Sequence, residues 1–348
     1  MKEFFLGMDD ELLIVKETSN GYRSFSRLEG MQPTRIAIDP QDKNIIYCGT
    51  QQNGLFKSED GGNHWKAIGH KESSGIRSEK VTAVAVSPSK QAHGNHIVYA
   101  GTEPSMLYYS MDRGESWEEF KNIQSLSSKK HWSFPPRPYT HYVRWITPSY
   151  FVENYLGVSI EAGAFFYSKN HGADWIDRPD DSPIDTHTLL AHPQVSNRLY
   201  AACGDGINKK GHSYAESEDG GQSWQYMSEG LEKHPYAYNM TVNPKDPSDR
   251  IISAAKSPRH AHSISEYSAV YRKQEDNSWV DISAGLPENH SSIHNLVADP
   301  AEAEVFYAMN NYGIYRLVQH ADKWEKLEIK WKEKYLKHRP SCFNIKVT

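Results

Sequence analysis

One short phrase returns along the chain and limits its fold more than any other feature. It reads SEDGGNHW at Ser58–Trp65, SMDRGESW at Ser110–Trp117, SKNHGADW at Ser168–Trp175 and SEDGGQSW at Ser217–Trp224. The shared positions are Ser58, Asp60, Gly62 and Trp65; Ser110, Asp112, Gly114 and Trp117; Ser168, Gly172 and Trp175, with Asn170 in place of Asp; and Ser217, Asp219, Gly221 and Trp224. Fainter echoes end at Trp279 (QEDNSW) and Trp324 (QHADKW), so six tryptophans recur 45 to 58 residues apart, the period of propeller blades. Ser and Asp side chains that bond nearby backbone N–H groups, a glycine able to take φ > 0 and a large apolar Trp make each phrase a hairpin turn. These acids are read as turn formers, not as catalytic groups or calcium ligands.

Ahead of each phrase lie runs rich in β-branched and aromatic residues, punctuated by Gly, Pro, Asn and Asp. Examples are TRIAIDP, NIIYCGT and GLFKS, then VTAVAVSP, HIVYAGT and MLYYS, and later HNLVADP, EVFYAMN and GIYRL. Four antiparallel strands per unit follow, the Trp phrase turning the third into the fourth. Residues 1–30 read as a unit lacking its first strand, and the C-terminal SCFNIKVT resembles that strand. The expectation is an all-β, seven-bladed β-propeller of four-stranded antiparallel blades, its ring closed by the C-terminal strand pairing with the N-terminal blade. It is read as one domain over 1–348. The first blade comes from 1–30 plus 341–348, and the others cover about 33–69, 80–120, 140–179, 186–229, 236–284 and 292–329.

Composition narrows the function. A net charge of −5 and no long basic block give no electrostatic footprint for nucleic acid. Three scattered cysteines, Cys48, Cys203 and Cys342, read as small buried hydrophobes. No apolar run reaches the length of a membrane span, and MKEFFLGMDDELLIV carries acids in its apolar stretch with no small-residue cleavage site. A cytoplasmic protein without membrane or nucleic-acid partners is expected.

In such a blade the loops between the second and third strands share one face with the links between blades, and a ligand is expected there, at the channel mouth. The longest link, Lys121–Trp145, gathers His131, Trp132, Arg137, Tyr139, His141, Tyr142, Arg144 and Trp145. Aligned on the following proline, Arg144 falls where other units place Ile36, Val84, Leu189, Met240 and Leu296, so a charge at a core position demands a partner. Glu161 is the expected one. The same face is expected to hold Glu103, Asp205, Arg259 and His260, with His187 and His294 at the starts of inner strands. His260 and His262, alternating about Ala261, are expected on one side of an extended segment.

The recurring phrase resembles the BNR or Asp-box repeat, and the resemblance spans nearly the whole chain. Members include sialidases, xyloglucanase-type glycosidases, sortilin-like receptors and photosystem II assembly factors, and the box lies away from the active site of the enzymes. The segment from His141 to Trp175 is also similar to bacterial BNR proteins labelled glycosyl hydrolase, with an H-x-R-W-I strand and a V-E-A-G-G turn. Here these read His141-Tyr142-Val143-Arg144-Trp145-Ile146 and Val158-Ser159-Ile160-Glu161-Ala162-Gly163-Ala164, with inserted or altered residues. No Arg-Ile-Pro motif, arginine triad or Tyr–Glu pair can be assigned, so the sialidase reaction itself is not implied.

Three functions stay open. In the first, a glycosidase-like hydrolase or lyase acts on an anionic or polyhydroxylated, sugar-like substrate. Glu161, His141 and Arg144 are then catalytic, with Glu103 or Asp205 as second carboxylate, and Trp132, Arg137, His187, Asp205, Arg259, His260 and Glu103 bind substrate. In the second, the propeller is a non-catalytic scaffold or assembly factor for a protein or ligand partner. In the third, His141, His187 and His294 hold a divalent metal.

Overall fold

A computed structural model describes all residues except 71–74, 90–93, 95, 265–266, 319–320 and 348. The first two residues of the QHADKW echo and the last of the expected closing strand therefore lie outside the described residues. The chain forms a seven-bladed β-propeller of four-stranded antiparallel sheets. Sheets are numbered here in chain order, the first being the one that contains the N-terminal strand.

The closing strand is present. Cys342–Val347 pairs antiparallel with Lys2–Gly7, from Lys2↔Val347 to Gly7↔Cys342, which gives the first sheet its fourth strand. Phe4, Leu6, Val15 and Ile345 join Tyr307, Met309 and Ile314 in one buried cluster, and Lys346 Nζ lies 3.1 Å from Glu3. An otherwise open strand edge is thereby paired. Among the described residues no helix is long and apolar enough to cross a membrane.

Residue contacts separate two compact units. One comprises Met1–Glu29, Ala202–Ala215 and Tyr226–Thr348, and the other Gly30–Ala201 with Glu216–Gln225. The first holds the sheets begun by Lys2–Gly7, Tyr236–Val242 and Asn295–Ala298. The second holds those begun by Pro33–Ile38, Val81–Val86 and Val143–Pro148.

The recurring phrase builds one repeated turn. Ser58, Ser110 and Ser217 donate to Asp60, Asp112 and Asp219 at 2.8–2.9 Å, and Ser168 to Asn170 at 3.0 Å. The same hydroxyls accept the N–H of Gly62, Gly114, Gly221 and Gly172 at 2.7–2.8 Å. Glycine is required at Gly221, where φ is +91° and a Cβ would stand 2.5 Å from the Phe165 ring. Trp117, Trp224, Trp279 and Trp324 are buried against the sheets. All three cysteines are buried.

The register corrects one reading. Val143 pairs with Ile160 and Trp145 with Ser159, so Arg144 is the extra residue of a β-bulge. Ile146 pairs with Val158 as Ile36 does with Cys48 and Val84 with Ala100; Ile146, not Arg144, therefore holds the core position. Pro148 misled the alignment because it is itself the last strand residue, paired with Leu156, whereas Pro40 and Pro88 follow strands ending at Ile38 and Val86. The equivalents of Arg144 are Thr34 and Thr82, each skipped by a bulge in its own sheet.

Candidate functional site at the loop face of the fourth sheet

The bulge position links neighbouring sheets. Thr34 donates to the Val81 carbonyl and Thr82 to the Val143 carbonyl, at 2.5 and 2.8 Å. Arg144 makes the corresponding link with Nε, 3.1 Å from the His187 carbonyl, and the longer side chain also places Nε 3.3 Å from Glu161 Oε2. Threonine at this place links the sheets; arginine links them and carries a charge to the loop face.

Glu161 follows the strand Leu156–Ile160, and its N–H donates to the Tyr142 carbonyl at 3.2 Å. The turn is completed by Ala162 at φ +46° and by the Gly163 N–H, which donates to the Ile184 carbonyl at 3.1 Å. The Ala162 N–H donates to Asp185 Oδ1 at 3.0 Å. Two successive N–H groups thus fasten this turn to the link entering the strand Thr186–Ala191.

Asp185 and His187 flank Thr186, so the alternation of extended backbone sends both side chains to one side. His187 Nε2 lies 3.4 Å from Asp185 Oδ1 and 3.7 Å from Glu161 Oε1. His187 is fully buried and the Glu161 side chain is 5% exposed, while Asp185 keeps 21%. Burial pushes the Asp185 carboxyl above its ordinary range; Glu161 adds to the rise, and His187, the Ala162 N–H and Arg144 oppose it. Glu161, Asp185 and His187 form the one group of three metal-capable side chains among the described residues, their ligating atoms all within 4.8 Å of one another.

The other expected residues are distributed differently. Glu103 is buried and ion-paired with Arg137 at 2.9 Å and Lys80 at 3.7 Å, and the carboxylate grouped with Glu161 is Asp185. Asp205 sits in the 3-10 turn Gly204–Ile207 of the other unit. Trp132 offers no open face for a sugar ring. It is 5% exposed, stacks on Phe166 with ring centroids 5.7 Å apart and donates to Ser128, pinning the long link as a core residue does. Tyr139 in the same link is 85% exposed.

His141 accepts the Ser105 N–H at 3.4 Å and meets the Trp132 ring edge to face. Burial and Lys129 hold its pKa below the ordinary value, with Glu103 opposing. It is outside the ligating group, and His294 lies in the other unit, fully buried beside Asn310. Pro258–His262 is a short α-helix, not an extended segment; Ser257-Pro258 starts it, proline taking the first helical position where its missing N–H costs nothing. His260 bonds Ser257 Oγ at 2.7 Å, His262 packs edge-on against Tyr238, and Arg259 is exposed.

No protein-family model matches the chain. Over 84 residues it is 30% identical to a probable oligoxyloglucan-reducing end-specific xyloglucanase of Neosartorya fischeri, a stretch covering 24% of this chain and 10% of that protein. Among solved structures it is similar to the GH74 enzyme of Niastella koreensis, with a TM-score of 0.66 and 15% identity over 92% of this chain and 51% of that one. An ancestral GH74 enzyme gives 0.64 and 17%, over 86% and 39%. YCF48 bound to a D1 peptide gives 0.58 and 16%, over 85% and 81%. The chain thus spans a tenth of the curated relative and about half or less of the GH74 structures. At these identities the structural likeness is one of fold.

Proposed function

We propose that this chain is a BNR/Asp-box propeller that binds an anionic or polyhydroxylated, sugar-like substrate at the loop face of its fourth sheet and acts on it as a hydrolase or lyase. The observation that carries the reading is the convergence of two carboxylates, Glu161 and Asp185, on one buried histidine, with one of them still partly exposed. Glycosidic cleavage needs two carboxyl groups around one bond, about 5–5.5 Å apart when the reaction retains configuration. Ligating oxygens within 4.8 Å lie on that side of the range. Asp185 faces the incoming ligand, and Glu161 is oriented by Arg144. Arg137, ion-paired with Glu103, would serve as an anion contact. The test is turnover on a panel of neutral and uronate-containing oligosaccharides, with Glu161→Gln and Asp185→Asn beside the native chain. The expected loss is about 10²–10⁴-fold in either variant. Equal turnover by Glu161→Gln on an identified substrate contradicts the reading.

A second reading, a peptide-binding scaffold without chemistry, is favoured by one observation. The likeness to YCF48 bound to a D1 peptide extends over most of both chains, so the two are of one size. A peptide partner that binds Asp185→Asn as tightly as the native chain, with no turnover on any sugar, supports it.

A further inference from the structure

Glu161 and Asp185 bring two carboxylates together beside a fully buried histidine, and like charges at such range need compensation. Arg144 supplies one positive charge, but on Oε2 of Glu161, the oxygen away from His187. The second oxygen, Oε1, faces His187 Nε2, and so does Asp185 Oδ1. A cation at the point where Oε1, Oδ1 and Nε2 converge would compensate both carboxylates at once.

We propose that this point is a divalent transition-metal site of the zinc type, with Glu161 Oε1, Asp185 Oδ1 and His187 Nε2 as its three protein ligands. A four-coordinate ion with bonds of about 2.0–2.2 Å spaces its ligands by about 3.3–3.6 Å. The two separations from His187 Nε2 are 3.4 and 3.7 Å, close to that spacing, and all three ligating atoms lie within 4.8 Å of one another, so the two carboxylates close by about 1 Å at most as they take the ion. One imidazole and two carboxylates suit zinc and its first-row neighbours, not calcium, which takes six to eight oxygens. The surroundings orient the ligands. Ala162 N–H donates to Asp185, Arg144 fixes Glu161 through its other oxygen, and the His187 carbonyl is held by that same guanidinium. Three protein ligands leave a fourth position open, and Asp185 is the exposed edge through which a water or substrate oxygen would reach it.

The inference deepens the reading above and uses the same site. With an ion bound, the carboxylates act as ligands, and proton delivery passes to water at the open position.

The test takes the full chain, strips it with chelator and offers Zn²⁺ alone or Co²⁺ alone. The expected result is about one ion per chain retained through gel filtration, and visible Co²⁺ bands of a four-coordinate nitrogen–oxygen site. Asp185→Asn and His187→Gln should each weaken binding about 100-fold or more, and His141→Ala should leave it unchanged. Asp185 is partly exposed, so its variant decides the matter if His187→Gln does not fold. No Zn²⁺ uptake by the native chain, or equal uptake by Asp185→Asn, overturns the inference. Turnover that survives chelation overturns it while leaving the carboxylate reading intact. An ion bound at these residues without turnover on any sugar supports the inference and counts against that reading.

Discussion

Arg144 and Thr82 occupy the same bulge position in adjacent sheets, and each donates to a backbone carbonyl in the first strand of the next sheet. Only Arg144 also meets a buried carboxylate, Glu161, 3.3 Å away. Arg144→Thr would restore the neighbouring pattern and strand that carboxylate beside Asp185. The expected cost is about 3–5 kcal/mol, the usual penalty for breaking a buried pair. Adding Glu161→Gln should recover a large part of it. Urea unfolding of the four members of this cycle measures the coupling, and a cost for Arg144→Thr below about 1 kcal/mol would show the pair to be slack.

Ring closure rests on the pairing of Lys2–Gly7 with Cys342–Val347. Ile345 is 6% exposed within the cluster of Phe4, Leu6 and Tyr307. Ile345→Ala should therefore cost about 2–5 kcal/mol, and deletion of 341–348 should abolish cooperative unfolding. An unchanged melting curve after the deletion would refute closure by this strand.

The box aspartates act through oxygen geometry. Asp60, Asp112 and Asp219 each accept the N–H four residues on, as Asn170 does from Asp174. Desolvation raises the carboxyls of Asp112 and Asp219, but the hydrogen bonds from Ser116, Ser110 and the Glu115 backbone, and from Ser223, Ser217 and the Gln222 backbone, together hold them below the ordinary 3.8, and Asp60 is lowered by its bonds with His64. A depressed folded pKa gives stability that is present above pH 3.8 and lost as pH falls through the folded value. Replacing all three by Asn should lower the neutral-pH melting temperature and flatten the decline below pH 4. Melting scans from pH 7 to 2 check this.

His294 takes up its proton at a lower pH than a surface histidine does. Complete burial lowers its pKa from 6.5 to about 4, against a smaller opposing contribution from the Ser268 backbone. The unfolded chain therefore binds the proton first, and stability present above pH 6.5 is lost between about 6.5 and 4. The loss from this one group is roughly 3 kcal/mol. His294→Gln should be less pH-dependent across that window, as seen in urea midpoints at pH 7, 5.5 and 4.5.

Much of this architecture was legible in the chain. Tryptophan spacing and the Ser-x-Asp-x-Gly phrase are local signals, and the likeness of SCFNIKVT to PTRIAIDP gave the closing strand. Pro148 ends a strand by pairing within it, so a proline-based alignment places Arg144 two residues away from its true equivalents. Pairing of Arg144 with Glu161 survived, since a two-residue shift keeps the side chain on the same face. Asp185 went unread in the link SPIDTHT; its signal was the Asp-x-His spacing at the start of a strand, which sets two ligating groups side by side. Around His260 the alternation with His262 mimics a strand, whereas the Ser257-Pro258 pair starts a helix. Trp132 looked like a platform because nothing local to the chain reveals that Phe166 covers it.

The central claim, that the Glu161–Asp185–His187 cluster is kept for function and not for stability, is tested most directly by Asp185→Asn. A carboxyl with a raised folded pKa contributes stability below pH 3.8 that is lost as pH rises through the folded value, so at neutral pH this side chain burdens the fold. Melting temperature and turnover should be measured together at pH 7 on native and variant chains, using a substrate from the oligosaccharide panel. The account predicts a melting temperature equal to or above that of the native chain, with turnover reduced about 100-fold or more. A lowered melting temperature with turnover intact would contradict it and make the cluster a structural ion pair.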